Sequence, residues 1–471
     1  MVAGPSQRFG RRRVLLGSGS VAQGTLPLVF RHFGVEPGQV TVVKTCPDES
    51  GIAQALGVRV LAQALTEDNY ASVLEPLLDA GDFLLNLSVE VSSLALIRLC
   101  WKRQALYLDA CSEPWPGRYD NPALPLAKRT NYALREEVLA LRTDPQAPTA
   151  CVTQGANPGL VSCLVKQALM NMARETALAV EPPASHSAWA ELARRLGIRV
   201  IHIAERDSQT SMRRKQNDEF VNTWSVGAFV DEGLQPAELG WGSHEKHWPA
   251  GACRHGDGCD AAIYLKRPGI ATRVRSWTPG EGPYHGFLVT HAESISIADH
   301  LTLRDTAGAV AFRPTVHYAY HPCDDAVLSL HELAGNNWRL QRRQRILRDE
   351  ICAGMDELGV LLMGHPRGVY WYGSRLTIEQ ARALAPYNNA TSLQVVAGIL
   401  GAMAWALRHP RAGLVEPDDL DPTTVMALAT PYLGELAGVW SDWTPLQDRS
   451  RLFPERKDAS DPWQFINFLV R

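Results

Sequence analysis

The chain has 471 residues, of which 45% are hydrophobic and 21% charged. That is ordinary globular composition and excludes a disordered, collagen-like or coiled-coil protein. Lys and Arg number 47 against 50 Asp and Glu, a net charge of −3, so no overall field draws the chain toward nucleic acid or an anionic membrane.

At roughly one domain per 150 residues, two or three domains are expected. No run reaches the roughly 18–20 uninterrupted apolar residues of a bilayer span, so a soluble protein is expected. The nine cysteines are scattered without C-x-x-C spacing, which fits a reducing cytoplasm. Arg11-Arg12-Arg13 ahead of Val14-Leu15-Leu16 imitates the start of a twin-arginine signal. Gly17, Gly19 and Gln23 cut that apolar run, and no small-residue cleavage site closes it.

In chain order, apolar runs at 14–16, 40–43, 83–87 and 105–109 read as strands with amphipathic stretches after them, and 150–153 as a further strand. Such alternation predicts βαβ units and a parallel sheet. Asn86 and Asp109 fall at or near strand carboxyl ends, where open α/β sheets form their ligand crevice. Past Asn157-Pro158-Gly159 helices are expected at 160–178 and 187–196. Strands follow at 198–203, 221–229, 261–265 and 287–290, then helices at 325–334, 343–358 and 393–407. The fold class is therefore α/β, a Rossmann-type dinucleotide-binding domain followed by a larger mixed α/β domain.

Gly17-Ser18-Gly19-Ser20-Val21-Ala22 follows the first strand and opens a helix. Gly17 permits the tight turn, Gly19 lets a pyrophosphate approach the backbone, and Ala22 is small enough for helix–strand contact. The helix N–H groups then face the phosphates. At the end of the second strand, where a carboxylate normally pairs with the ribose 2′-OH, the chain has Lys44. Lys44 would suit a 2′-phosphate, or Asp48 or Glu49 in the next turn would supply the acid, which leaves NAD and NADP both open.

Acids recur in otherwise uncharged stretches: Glu90 and Glu113 after first-domain strands, then Glu205, Glu232, Glu238 and Glu293. Together they suggest a negative pocket suited to a cationic substrate. Trp224 stands near them in sequence, and an indole face attracts an ammonium or iminium ion by about 0.5–2 kcal/mol. A plain core tryptophan is the alternative. His244-Glu245-Lys246-His247 lacks the H-E-x-x-H spacing, and His317, His321 and Cys323 lie on a strand-like alternation, so no metal site is expected.

Several strings resemble the bacterial homospermidine synthases: Asn86-Leu87-Ser88-Val89-Glu90, Glu113-Pro114-Trp115, Gly155-Ala156-Asn157-Pro158-Gly159, Asn222-Thr223-Trp224-Ser225, His291-Ala292-Glu293 and Tyr318-Ala319-Tyr320-His321-Pro322-Cys323 among them. The likeness spans nearly the whole chain. It implies an NAD-dependent enzyme joining two putrescines with loss of ammonia, a homodimer of the saccharopine dehydrogenase type. Residues 1–157 would then bind NAD, 158–430 would hold substrate and form the dimer, and 431–471 would return to the first domain.

By this resemblance Trp224 supplies a cation–π contact, Glu205 and Glu232 an anionic channel, and Asn157, Glu113 and His291 the reaction centre, with Glu90 near a substrate ammonium. The expected cofactor residues are Gly17, Gly19, Ser20 and Val21 in the turn, then Lys44 and Thr66. Asn86, Leu87, Ser88, Asp109, Ala110 and Asn157 complete them. The chain departs from the family pattern at Lys44, where an acid is usual, at Glu90, where Asp is expected, and at Ala292, which replaces an Asn. The alternative is a net saccharopine- or carboxynorspermidine-type dehydrogenase, whose carboxylate-bearing substrates call for Arg or Lys in the pocket.

Overall fold

The computed structural model describes residues 10–17, 19–45, 51–119 and 121–470. Its first sheet is built from β1 (Arg13–Leu16), β2 (Val40–Lys44), β3 (Arg59–Ala62), β4 (Phe83–Asn86), β5 (Leu106–Asp109) and β6 (Ala150–Cys151). All run parallel in the order β3-β2-β1-β4-β5-β6. Every residue of β1, β4 and β5 is buried, as parallel strands covered on both faces require. Alternate residues serve opposite faces: Leu15, Val42 and Leu85 pack under helix α1 (Ser20–Phe33), whereas Val14, Val43 and Leu84 pack against Leu96 and Ile97 of the helix Ser93–Lys102. The edge strand β3 is half exposed and carries no clear apolar signal in the sequence.

The segment that returns to this sheet from late in the chain is not 431–471. The helix Ala390–Arg408 packs beside α1, and Leu414–Val415 pairs with β6. Residues 435–441 instead form a strand on the second sheet, and Phe465 and Phe468 pack in its core. Among the described residues Ala390–Arg408 is the one helix long and apolar enough to cross a membrane, yet 89% of its apolar window is buried inside the protein. A glycine lets this helix approach the 155–159 loop: a Cβ at Gly398 would collide with the Gly155 carbonyl. Gly398→Ala should therefore cost about 1–3 kcal/mol of stability through overpacking. It should also lower turnover by displacing the loop that carries Asn157, both checked by thermal melting alongside steady-state kinetics.

The second sheet has ten strands around the parallel pair Val200–Asp207 and Thr315–His321. Met355–Met363, Val369–Thr377 and Glu435–Ser441 extend it antiparallel on one side, and Pro236–Gly240, Ala262–Pro268 and Ala252–Arg254 on the other. Strand alternation puts Glu205, Asp207, Tyr318 and Tyr320 on one face. His202 and His317 lie on the opposite face, against Phe465 and Phe468.

Three expected elements differ. The run 221–229 divides into a strand, Glu219–Asn222, and a helix, Val226–Leu234, because the Ser225 hydroxyl accepts the Ala228 N–H and starts a new turn. The run 343–358 is not a helix but the strands Arg343–Ile346, Ile351–Ala353 and Met355–Met363. Gly354, at φ +105 beside the Ser208 carbonyl, breaks the chain there. The strand expected at 287–290 lies earlier, at Gly282–Phe287.

Candidate active site

Two cavities, of about 320 and about 150 Å³, open at the carboxyl ends of β1 and β4 and share Val21, Leu87, Ser88, Val89, Trp224 and Ser225 in their walls. They form one cleft at the point where the strand order reverses, the place an α/β sheet reserves for its ligand.

The first cavity is the glycine-rich one. Gly17, at φ +102, sits so close to β4 that a Cβ would lie 2.6 Å from the Leu87 carbonyl, whereas nothing lies within 4 Å of a Cβ at Gly19. Gly19 is the N-cap of α1, so its bare backbone and the first N–H groups of the helix present an anion-binding cradle to the cavity. Ser20, Val21 and Lys44 line it, as do Thr45, Gln63 and Leu65. Ser18, Asp48 and Glu49 lie outside the described residues.

Two expected cofactor residues stand elsewhere. The Thr66 N–H is taken by Asn69 at 2.8 Å, and Thr66 lines neither cavity. Asp109 is fully buried, accepting from the Tyr107 hydroxyl at 2.8 Å and the Thr153 N–H at 2.6 Å. It thereby ties β5 to the loop after β6, and burial raises its carboxyl. Asn86, Leu87, Ser88 and Ala110 do line the second cavity, with Asn86 Oδ1 held by the Ser88 hydroxyl at 2.6 Å.

The second cavity gathers Glu113, Asn157, Glu205, Trp224, Glu232 and His291. Glu113 comes from the loop after β5, pinned by reciprocal bonds with Ser93: its N–H to the hydroxyl at 3.0 Å and its carbonyl from the Ser93 N–H at 2.8 Å. Burial, then the charges of Glu232 and Asp231, raise its carboxyl well above the usual range. Glu205, from the central strand, accepts from Asn157 Nδ2 at 2.7 Å and from the Tyr318 hydroxyl. Burial pushes it to about 7, against the pull of those two donors.

His291 caps the helix Ala292–His300 and holds Glu293 at Nδ1 and Glu232 at Nε2, each 3.1 Å away. Burial opposes its charge, but the two carboxylates outweigh burial and hold the ring well above its ordinary value. Both ring nitrogens face carboxylates, an arrangement that favours the doubly donating imidazolium. Glu232 reaches it from the helix Val226–Leu234, the element the sequence pattern concealed.

Glu90 is exposed on left-handed backbone (φ 59) and lines the first cavity rather than the second. Glu238 does not reach the cleft: buried, it accepts the Asn131 N–H at 2.7 Å and the Thr290 hydroxyl at 2.8 Å, clasping the helix Asn131–Leu139 to the second sheet. Glu293 stands behind His291. Tyr318 from the strand Thr315–His321 and Thr391 from the first turn of the helix Ala390–Arg408 also line it; the alternation at 318–320 marked the strand but not the direction of its hydroxyls. Among the described residues no lysine or arginine lines the second cavity, and no group of three or more His, Cys, Asp or Glu is placed to hold a metal ion.

Two family models match the chain, the saccharopine dehydrogenase NADP binding domain over residues 14–152 and the saccharopine dehydrogenase C-terminal domain over 155–441. The homospermidine synthase of Blastochloris viridis is 54% identical over 463 residues, 97% of each chain. That of Mesorhizobium japonicum is 49% identical, over 97% of this chain and 96% of its own. The chain belongs to the homospermidine synthase family. A solved homospermidine synthase from Legionella pneumophila, in complex with NAD, superposes with a TM-score of 0.94 at 50% identity, covering 99% of both chains. The polar support of the His291 imidazole comes from Glu293 and Glu232.

Proposed function

We propose that the chain couples two putrescine molecules into homospermidine with release of ammonia, using NAD as a retained cofactor, as a cytoplasmic homodimer. The observation that carries this reading is the make-up of the second cavity's lining: the carboxyls of Glu113, Glu205 and Glu232 stand in it, with no lysine or arginine among its described walls. A dehydrogenase of the saccharopine type would face substrate carboxylates with carboxylates. The cradle at Gly17 and Gly19 fits a dinucleotide, with the helix α1 N–H groups at the pyrophosphate and Asn86, Ser88 and Ala110 toward the nicotinamide end. When bound, NAD would take hydride from the amine-bearing carbon and return it to the exchanged imine, so that no net oxidation results.

The chain's residues supply charge and proton control. Burial raises the proton affinity of Glu113 and Glu205, and an entering ammonium opposes that shift and favours their ionised forms. Glu205, braced by Asn157 and Tyr318, anchors an ammonium. The near nitrogen must then be deprotonated before its carbon can release hydride. His291 already donates from both nitrogens and is not that base; it fixes Glu232 in the wall. Glu113, whose carboxyl burial and the charges of Glu232 and Asp231 raise well above the usual range, takes the proton. The indole face of Trp224 lowers the cost of the iminium that forms.

Purified protein given putrescine and a catalytic amount of NAD should produce homospermidine and ammonia in equal amounts without accumulating NADH. Stoichiometric NADH would favour the dehydrogenase reading. Because the ionised form of Glu205 does the anchoring, kcat/KM for putrescine should rise as the pH passes upward through about 7. That limb should shift or flatten in Glu205→Gln.

A further inference from the structure

Trp224 lines both cavities, yet an aromatic ring on a loop between a strand and a helix has no single orientation of its own, since rotation about its second side-chain bond is broad. Attraction of a cation depends on which way the ring face points. The indole Nε1–H donates to the Tyr320 hydroxyl at 3.1 Å. We propose that Tyr320 is the positioning residue that sets the face of Trp224 toward the substrate, an inference that rests on the diamine reading of this site.

Tyr320 is itself immobile for reasons independent of the tryptophan. It is 1% exposed on the central strand Thr315–His321. Its ring stacks on Tyr318 at 5.1 Å and 11°, and the Tyr318 hydroxyl is committed to Glu205. Phe229 closes the far side, 5.3 Å from the Trp224 ring and 5.6 Å from that of Tyr320. The strand thus carries two hydroxyls two residues apart, one aligning the anionic anchor and the other the indole. Burial, followed by the charges of Glu205 and Asp207, keeps the Tyr320 phenol protonated over the working range.

A double-mutant cycle in the holoenzyme tests the assignment. Tyr320→Phe keeps the ring and its packing and removes the hydroxyl, and is expected to lower kcat/KM for putrescine by about 5- to 10-fold, the scale of one hydrogen bond. Trp224→Phe has no N–H to donate, so adding Tyr320→Phe to it should change kcat/KM by less than about 2-fold. Equal losses in the two backgrounds would mean a general packing role and overturn the proposal. Wild-type kinetics in Tyr320→Phe would overturn it as well. If Trp224→Ala itself left turnover intact, the diamine reading of the tryptophan would fall and the proposal with it. Should Tyr320→Phe not fold, placing 3-benzothienylalanine at 224 deletes the same bond from the other side. A comparable loss then supports the pin, and full activity overturns it.

Discussion

Trp224→Ala is expected to lower kcat/KM for putrescine by about 10- to 30-fold, and Trp224→Phe to keep a substantial part of it. The indole sits in the wall common to both cavities, where the nucleotide half meets the acid-lined half. A positive charge that develops on carbon in a largely buried site has little water to stabilise it, so a π face counts for more there than at the surface. Phenyl retains such a face, though a weaker one. Steady-state kinetics on the three proteins decide the matter: equal loss in Ala and Phe would show that the ring face is not what the reaction uses.

Glu205→Gln should have a larger effect, a fall of about 100- to 1000-fold in kcat/KM for putrescine, because the partner of a buried hydrogen-bonded charge is worth about 2–5 kcal/mol. The fold should survive. Asn157 and Tyr318 both donate to the same oxygen, Oε2, and a glutamine oxygen can accept both. The loss should appear mainly in KM for the diamine and leave NAD affinity within about 2-fold, since the glutamate lines only the second cavity. Titration calorimetry with NAD alongside the kinetics separates the two; parallel losses in both affinities would mean that the substitution had disturbed the cleft as a whole.

Much of this site was legible in the sequence, and the reason is local. The turn from Gly17 to Ala22 announces itself through glycine spacing after a buried strand, and β4 and β5 read as continuous apolar runs. Glu113, Asn157, Glu205, Trp224, Glu232 and His291, each singled out from the sequence, line one cavity. What the sequence hid was long-range. Asp109 looks like a crevice residue by position, but it faces inward to Tyr107 and Thr153. Glu238 and Glu293 count as pocket acids by composition, and only tertiary packing shows one capping a helix and the other backing an imidazolium. The helix bearing Glu232 was obscured because Val226, Phe229 and Val230 favour strands locally, and the cap at Ser225 overrides them. Tyr320 carries no signal at all until the strand direction and the position of Trp224 are known together.

The most direct test of the account is a crystal structure of the NAD complex soaked with putrescine. The account predicts a diamine extended through the second cavity, one ammonium within hydrogen-bond reach of Glu205 and the chain lying across the face of Trp224. A cavity that excludes the diamine, or one that draws in a basic side chain and binds a carboxylate in its place, would contradict it.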